Sequence, residues 1–270
     1  MIGRSGVNGL GQWTILLLII SFFPTYVIAS WSTSGESFDG ELVVGGLVTD
    51  TRPPWSWKVA GTTNKMDLPP PLQNSKQSTL IWQGLMNDEA LLLGKTSTTV
   101  INGRAGLAPS VTFGNGVDGF NLIWRGQGEA EVQLPVYDSD DPNQSIGQLS
   151  FRLISAAMTK HIRDKRPTYV SMYNDSVGNG LPPKEMAVQT GVTGEVLCGI
   201  FAGEGPEWLC ENGLNISESK PLCWLTDTSV IKPEIVYGIR SISGSGVLKI
   251  DGTSLPSRWK TTLPVKIEYR

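Results

Sequence analysis

Two stretches at opposite ends of the chain alternate apolar with polar residues, and they constrain the fold more than any other feature. In residues 37–49, SFDGELVVGGLVT, one face of an extended chain would carry Phe38, Gly40, Leu42, Val44, Gly46 and Val48. In residues 262–269 the corresponding face carries Leu263, Val265, Ile267 and Tyr269. Because successive side chains of a strand point to opposite faces, each stretch is predicted to form a β-strand with one apolar face.

The composition favours one large all-β domain. The chain has 270 residues with 31 Gly, 17 Pro and 40% hydrophobic residues. A chain of this size can bury a stable core without disulfides or metal ions to hold it together. Residues 155–163 are predicted as one short helix, and residues 61–77, which contain three consecutive prolines, as an extended surface loop. Strands are predicted at residues 55–60, 79–83, 90–93, 97–101, 111–113, 120–124, 131–136, 146–154, 230–242 and 247–250.

Residues 1–30 are interpreted as an export signal. Arg4 supplies the positive start, residues 15–20 an apolar run, and Ala29 and Ser30 small residues at which cleavage could occur. The competing interpretation is a membrane anchor, but the apolar run is interrupted by Pro24 and is shorter than the ~20 residues that cross a bilayer. This division leaves an extension at residues 31–49 and a domain at residues 50–270.

Charge and motif content argue against nucleic-acid binding and against catalysis. The formal net charge is -3, whereas a nucleic-acid surface is basic. The LLGKT run resembles the end of a phosphate-binding loop, but the required earlier glycine is Glu89. The one histidine, His161, lies in a charged run and offers little for a catalytic relay. We therefore expect no enzyme and no cofactor, although the sequence leaves the spacing of its paired carboxylates open.

Three polar clusters each have two interpretations. Asp138, Asp140 and Asp141 suit a hairpin turn, or alternatively calcium, although an EF-hand glycine and distal glutamate are missing. The basic run is typical of a solvated face, or alternatively contacts anionic sugars; it comprises Lys160, Arg163, Lys165 and Arg166. The third cluster suits an ordinary surface loop, or alternatively a host glycan contact; its candidate residues are Tyr169, Tyr173, Asn174 and Trp208.

The three cysteines, Cys198, Cys210 and Cys223, lack the spacing of a metal site, so no metal is expected. In an exported protein a disulfide is the better interpretation. The flanking segments of Cys210 and Cys223 suggest two strands around a polar loop, so we predict a Cys210–Cys223 disulfide. Cys198, in an apolar run, would then be a buried free thiol.

Several segments together resemble the subunits of chaperone-usher fimbriae, and more narrowly the Fae-type fimbriae of the kappa clade. They are FDGELVVGGLVTD after a mature start at Trp31, WSWKVAG (residues 55–61), LLLGKT (91–96), GVDG (116–119), IGQLSFRL (146–153) and SRWKTTLPVKIEYR (257–270). They lie in order along most of the mature chain. Little matches between residues 158 and 224.

The resemblance implies an immunoglobulin-like β-sandwich that lacks its last strand and carries inserted loops or a short helix. A periplasmic chaperone would lend a strand during export, and at the outer-membrane usher the extension of a neighbouring subunit would replace it. Residues 37–49 would be the donor strand, with Phe38, Leu42 and Val44 as anchors. Leu263, Val265, Ile267 and Tyr269 would line the groove edge that meets the chaperone.

The resulting prediction is a structural, minor subunit of a cell-surface fimbria that polymerises by donor-strand exchange. One alternative is a receptor-binding adhesin of the same family that recognises host glycoconjugates. Another is a self-contained secreted module in which both terminal strands belong to an ordinary closed sandwich. Fibre assembly, glycan binding and the stability of an isolated monomer distinguish the three.

Overall fold

The computed structural model describes residues 52–59, 68, 70–73, 79–141, 143–252 and 258–269. The predicted signal sequence and donor-strand segment, at residues 1–49, lie outside the described residues. Residues Asp50–Arg270 belong to one compact unit. No helix among the described residues is long and apolar enough to cross a membrane.

The described residues form fourteen strands and one α-helix, which confirms the all-β prediction and is consistent with an immunoglobulin-like fold. The helix, α1, is Thr193–Phe201, and 3₁₀ turns lie at Lys184–Met186, Thr190–Val192, Glu207–Cys210 and Leu222–Thr226. The strands are β1 (Trp55–Val59), β2 (Leu72–Gln73), β3 (Thr79–Leu85), β4 (Ala90–Thr96), β5 (Pro109–Phe113), β6 (Asn121–Gly126), β7 (Glu129–Asp138), β8 (Ser145–Arg163), β9 (Arg166–Tyr173), β10 (Ile216–Pro221), β11 (Ile231–Ser241), β12 (Gly246–Asp251), β13 (Trp259–Lys260) and β14 (Val265–Tyr269).

The long strand β8 organises the main sheet. The strand order is β1-β4-β11-β8-β12-β3-β2, and β7 and β9 pair with the other edge of β8. The first half of β8 pairs with β7 and β12, and the second half with β11 and β9. Strand β14 lies apart from this sheet and pairs with β5 in a two-stranded sheet.

The predicted helix at residues 155–163 is wrong, because these residues form the second half of β8. Here the strand is buried on both faces. Ala157 packs in the main core, and Ala156 and Met158 pack in a second cluster with α1. A strand covered on both faces loses the alternation that marks a half-exposed strand, so its sequence can be mistaken for a helix.

The segment between residues 158 and 224, in which the family resemblance is weakest, supplies a helical layer over the outer face of the main sheet. Leu197, Ile200 and Phe201 of α1 are buried against Leu93 of β4 and Val236 of β11. The main core lies on the opposite face. The sheet is therefore covered on both sides in this region.

Two further predictions need correction. Residues 97–101 do not form a strand: the neighbouring Asn102 makes an isolated bridge to Ile231, and Ile101 is exposed. Cys210 pairs with Cys198 rather than with Cys223. The predicted strands around Cys210 and Cys223 are both 3₁₀ turns. Cys210 lies just after α1, with its Cα 5.2 Å from that of Cys198, whereas Cys223 is an exposed free thiol.

Candidate functional site

The C-terminal strand β14 has an apolar face that its own domain covers only in part. Its residues pair with β5 from Val265 opposite Phe113 to Tyr269 opposite Pro109. Val111 and Phe113 of β5 are each 4% exposed. The inward residues on and before β14 pack against the main core yet stay half-exposed; they are Leu263, Val265, Ile267 and Tyr269. The predicted alternation is confirmed, since Lys266 and Glu268 are exposed between them.

The other edge of β5 is already occupied by Asn179. Its side chain accepts from the backbone N–H of Phe113 at 2.6 Å and donates to the Phe113 carbonyl at 3.1 Å. The backbone N–H groups of Asn179 and Gly180 both donate to the Val111 carbonyl at 3.0 Å. These bonds take the place of the hydrogen bonds that a neighbouring strand would make with this edge of β5. The edge of this small sheet that remains without a partner, among the described residues, is therefore the outer edge of β14.

Strand β1 has a similar open side. It pairs with β4 from Trp55 opposite Thr96 to Val59 opposite Leu92, and no second strand pairs with it among the described residues. Trp55, Trp57 and Val59 share one face, because they alternate along the strand. Trp55 is 9% exposed and Trp57 is half-buried, whereas Val59 is 54% exposed. The side chains on this face therefore become more exposed from Trp55 toward Val59.

An aromatic cluster joins the two open strands. The indole Nε1 of Trp57 donates a hydrogen bond of 2.8 Å to the hydroxyl of Tyr269. The Trp57 ring stacks on Trp55 with centroids 4.9 Å apart and meets the buried ring of Tyr237 edge-on at 5.5 Å. Burial raises the pKa of Tyr237, which keeps its phenol neutral.

Gly94 of β4 explains how Trp57 reaches this position. A Cβ atom at Gly94 would overlap the Trp57 ring, so the strand needs a residue without a side chain there. The glycine of the LLGKT run therefore serves packing. Strands β1 and β14 meet through side chains, and each has an unpaired edge within the described structure. We call the space they flank the β1–β14 groove.

Comparison with known proteins decides the family. A family model described as "Fimbrial, major and minor subunit" matches residues 11–270. The K88 minor fimbrial subunit FaeI of Escherichia coli is 37% identical over 263 residues, which cover 95% of this chain and 98% of that protein. The chain belongs to this family of fimbrial subunits. The predicted resemblance to Fae-type fimbriae is confirmed.

The fimbrial subunit brings only some of the predicted glycan-contact residues together. The rings of Tyr169 and Trp208 lie 5.8 Å apart, but Trp208 is only 5% exposed. Asn174 uses its side chain within its own loop, accepting from the Ser176 N–H at 3.1 Å and donating to the Gly178 carbonyl at 2.9 Å. Tyr173 lies under the ammonium group of Lys184. Glycan contact by these residues stays a prediction.

The acidic cluster forms the hairpin turn between β7 and β8, as predicted. The backbone N–H of Asp140 donates to Asp138 Oδ1 at 2.9 Å, and that of Asn143 donates to Asp141 Oδ1 at 3.3 Å. Both bonds are the local side-chain turns that Asp favours. The described residues contain no group of three or more acidic, His or Cys side chains arranged for a metal ion.

The basic run is exposed except for Lys160, which is half-buried and pairs with Glu234 at 3.0 Å, and the run adjoins a buried histidine, His161. Arg163, Lys165 and Arg166 are exposed as predicted, and Arg163 pairs with Glu218. His161 is 3% exposed, contacts Trp224 edge-on at 5.1 Å, and has no hydrogen-bond partner among the described residues. Burial lowers the pKa of His161, the charge of Arg163 lowers it further, and Glu218 opposes both. The histidine is therefore held neutral inside the fold.

Sequence reasoning identified one rim of the β1–β14 groove and missed the other. The alternation of β14 marked its four inward residues, but Trp57 and Val59 were predicted only as members of an ordinary strand. Trp57 and Tyr269 are 212 residues apart, so no local pattern links them. Asn179 was also missed, because an asparagine in a glycine-rich loop gives no sign that it pairs with a distant strand.

Proposed function

We propose that this structural fimbrial subunit polymerises by donor-strand exchange. A strand from a neighbouring subunit would enter the β1–β14 groove, and residues 37–49 of this chain would enter the groove of another subunit. One observation carries the proposal: β14 has a half-covered apolar face and an edge that is unpaired among the described residues, and a side-chain hydrogen bond links it to β1. Unpaired edges and open apolar faces are costly in water and are normally covered.

The expected energetics favour a long-lived contact between the donor strand of one subunit and the groove of the next. Strand addition combines backbone hydrogen bonds, which give general affinity, with alternate side chains that enter pockets and fix the register. If Phe38, Leu42 and Val44 are fully buried, each contributes roughly 1.5–3 kcal/mol. Covering Val59 and the inward face of β14 adds to this. The joint would therefore open rarely.

The same groove explains why export would need assistance. Until a neighbour supplies its strand, the open edge of β14 can pair with any exposed strand, including that of another unassembled copy. A periplasmic chaperone that occupies the β14 edge would prevent this, and the outer-membrane usher would be the place of exchange. The 37% sequence identity with a minor fimbrial subunit supports the same role for this chain, that of a minor component of a surface fimbria.

Incorporation into fibres tests the proposal. Replacing Phe38 and Val44 by Asp places two charges on the groove-facing side of the donor strand, so the subunit should disappear from purified fimbriae while still being recovered with the chaperone. Val43→Asp is the matched control, because the sequence alternation predicts Val43 on the opposite face of the donor strand, and it should be incorporated. Normal incorporation of the Phe38→Asp, Val44→Asp variant would contradict donor-strand exchange.

A further inference from the structure

The point at which the chain enters the described domain is firmly held. Arg104 Nη2 donates to the carbonyl of Arg52 at 2.8 Å. Two residues later, the Pro54 carbonyl accepts from the backbone N–H of Ser97 at 2.7 Å and from its hydroxyl at 3.1 Å. These contacts fix the position of Arg52, the first described residue of the domain.

Two exposed isoleucines belong to segments near this entry point, since Ile101 lies in the chain between Ser97 and Arg104, which bind Pro54 and Arg52. Ile101 is 61% exposed and Ile231 45% exposed. They are joined because the Lys232 N–H donates to the Ile101 carbonyl at 2.8 Å and Asn102 bridges to Ile231. Ile101 precedes Arg104, which holds Arg52, by three residues. We define the exit surface as Arg52, Ile101, Arg104, Ile231 and Lys232.

A single exposed isoleucine on a protein surface is ordinary, but this pair has a fixed backbone and a defined place. Gly103 lies between the two segments, with its N–H donating to the Val230 carbonyl at 2.8 Å. The isoleucines are therefore carried by two segments that are hydrogen-bonded to each other. Such a pre-ordered apolar surface loses little conformational entropy when it is covered.

The linker to the predicted donor strand is very short. Asp50 and Thr51 alone separate Thr49 from Arg52. Three peptide units reach at most about 11 Å when fully extended. If residues 37–49 fill the groove of a neighbouring subunit, the end of that groove must lie within this reach of Arg52.

We propose that the exit surface binds the body of the subunit whose groove receives this chain's donor strand. The inference rests on the proposed function and extends it from a strand-in-groove joint to a second contact between the folded domains. The tether makes this contact effectively intramolecular, so even a small apolar patch is populated. The exposed side chain of Lys232, next to Ile231, favours a partner surface that is apolar at its centre and acidic or neutral around it.

The test is photocrosslinking in assembled fimbriae, with p-benzoylphenylalanine placed at one position of the full chain at a time. The test positions are Ile101 and Ile231. Ile123 of β6, which is 40% exposed, is the matched control for an exposed isoleucine elsewhere. Glu41 is the reference position, because the sequence alternation predicts it on the non-groove face of the donor strand, where it should capture the acceptor subunit.

The expected result is an adduct heavier by one subunit at Ile101 and at Ile231, containing the same protein that Glu41 captures. Its yield should exceed that at Ile123 by about tenfold, because the tether holds the partner at high effective concentration. Capture at Glu41 with only the Ile123 yield at Ile101 and Ile231 would overturn the domain contact and leave donor-strand exchange intact. Fimbriae that lack the subunit altogether, with nothing captured at Glu41, would overturn both.

Discussion

At the scale of single residues, Trp57 connects several parts of the candidate groove. It stacks on Trp55, meets Tyr237, fills the space above Gly94 and donates to Tyr269. Its partner Tyr269 ends the strand whose open edge is proposed to receive a neighbour. The indole–phenol bond therefore helps to hold the two rims of the groove at a fixed separation.

The value of this bond can be measured with a double-mutant cycle. Tyr269→Phe removes the accepting hydroxyl, and we expect it to lower the free energy of unfolding by about 1 kcal/mol, the usual net worth of one hydrogen bond. In a Trp57→Phe background the donor is already gone, so the same substitution should cost close to nothing. Equal costs of Tyr269→Phe in both backgrounds, measured by chemical denaturation, would show that the bond contributes nothing.

At the scale of elements, the helical layer depends on a covalent link as well as on packing. The Cys198–Cys210 disulfide joins α1 to the 3₁₀ turn Glu207–Cys210, and both pack on the main sheet. The same layer reaches β1, because Lys58 Nζ pairs with the carboxylate of Glu204 at 2.6 Å and Lys95 Nζ donates to its backbone carbonyl at 2.7 Å. A change that destabilises this helical layer should therefore also alter the position of β1, one rim of the groove.

Replacing Cys198 and Cys210 together by Ser should lower the free energy of unfolding by about 3 kcal/mol, the chain-entropy value for a loop of this size. Cys223→Ser is the control, because Cys223 is exposed and unpaired in the described structure, and it should change stability by less than about 0.5 kcal/mol. Chemical denaturation under non-reducing conditions gives both values. If Cys223→Ser were the costly change, the pairing described here would be wrong.

Alternation predicted several of the strands that have one face toward water, but it missed β9 and β10. Strands β1, β3 and β14 were found in this way, with ends displaced by a few residues. The prediction failed in the second half of β8, where Ala156 and Met158 contact the helical layer while Ala157 contacts the main core. The cysteine pairing failed for a related reason, because the 3₁₀ turns that position Cys210 and Cys223 leave no periodic signal.

At the scale of the whole molecule, the all-β class and the family could be inferred from the sequence, but the groove could not be assembled from it. Its two rims come from the first and last strands of the described domain, and Asn179 closes the competing edge of β5. These relations depend on tertiary pairing. A self-contained sandwich and an open one have the same local patterns, and they differ in whether β14 finds a partner at its outer edge.

The most direct test of the open groove is the thermal unfolding of the mature chain lacking residues 31–49, with and without a synthetic peptide of residues 37–49. A ligand that binds the folded state at about 100 times its Kd adds about 2.7 kcal/mol, which for a domain of this size raises the midpoint by roughly 5–10 °C. We predict such a rise, increasing with peptide concentration and absent with a peptide carrying Phe38→Asp and Val44→Asp. A high midpoint that the peptide leaves unchanged would mean that the domain is already closed, and would contradict the account.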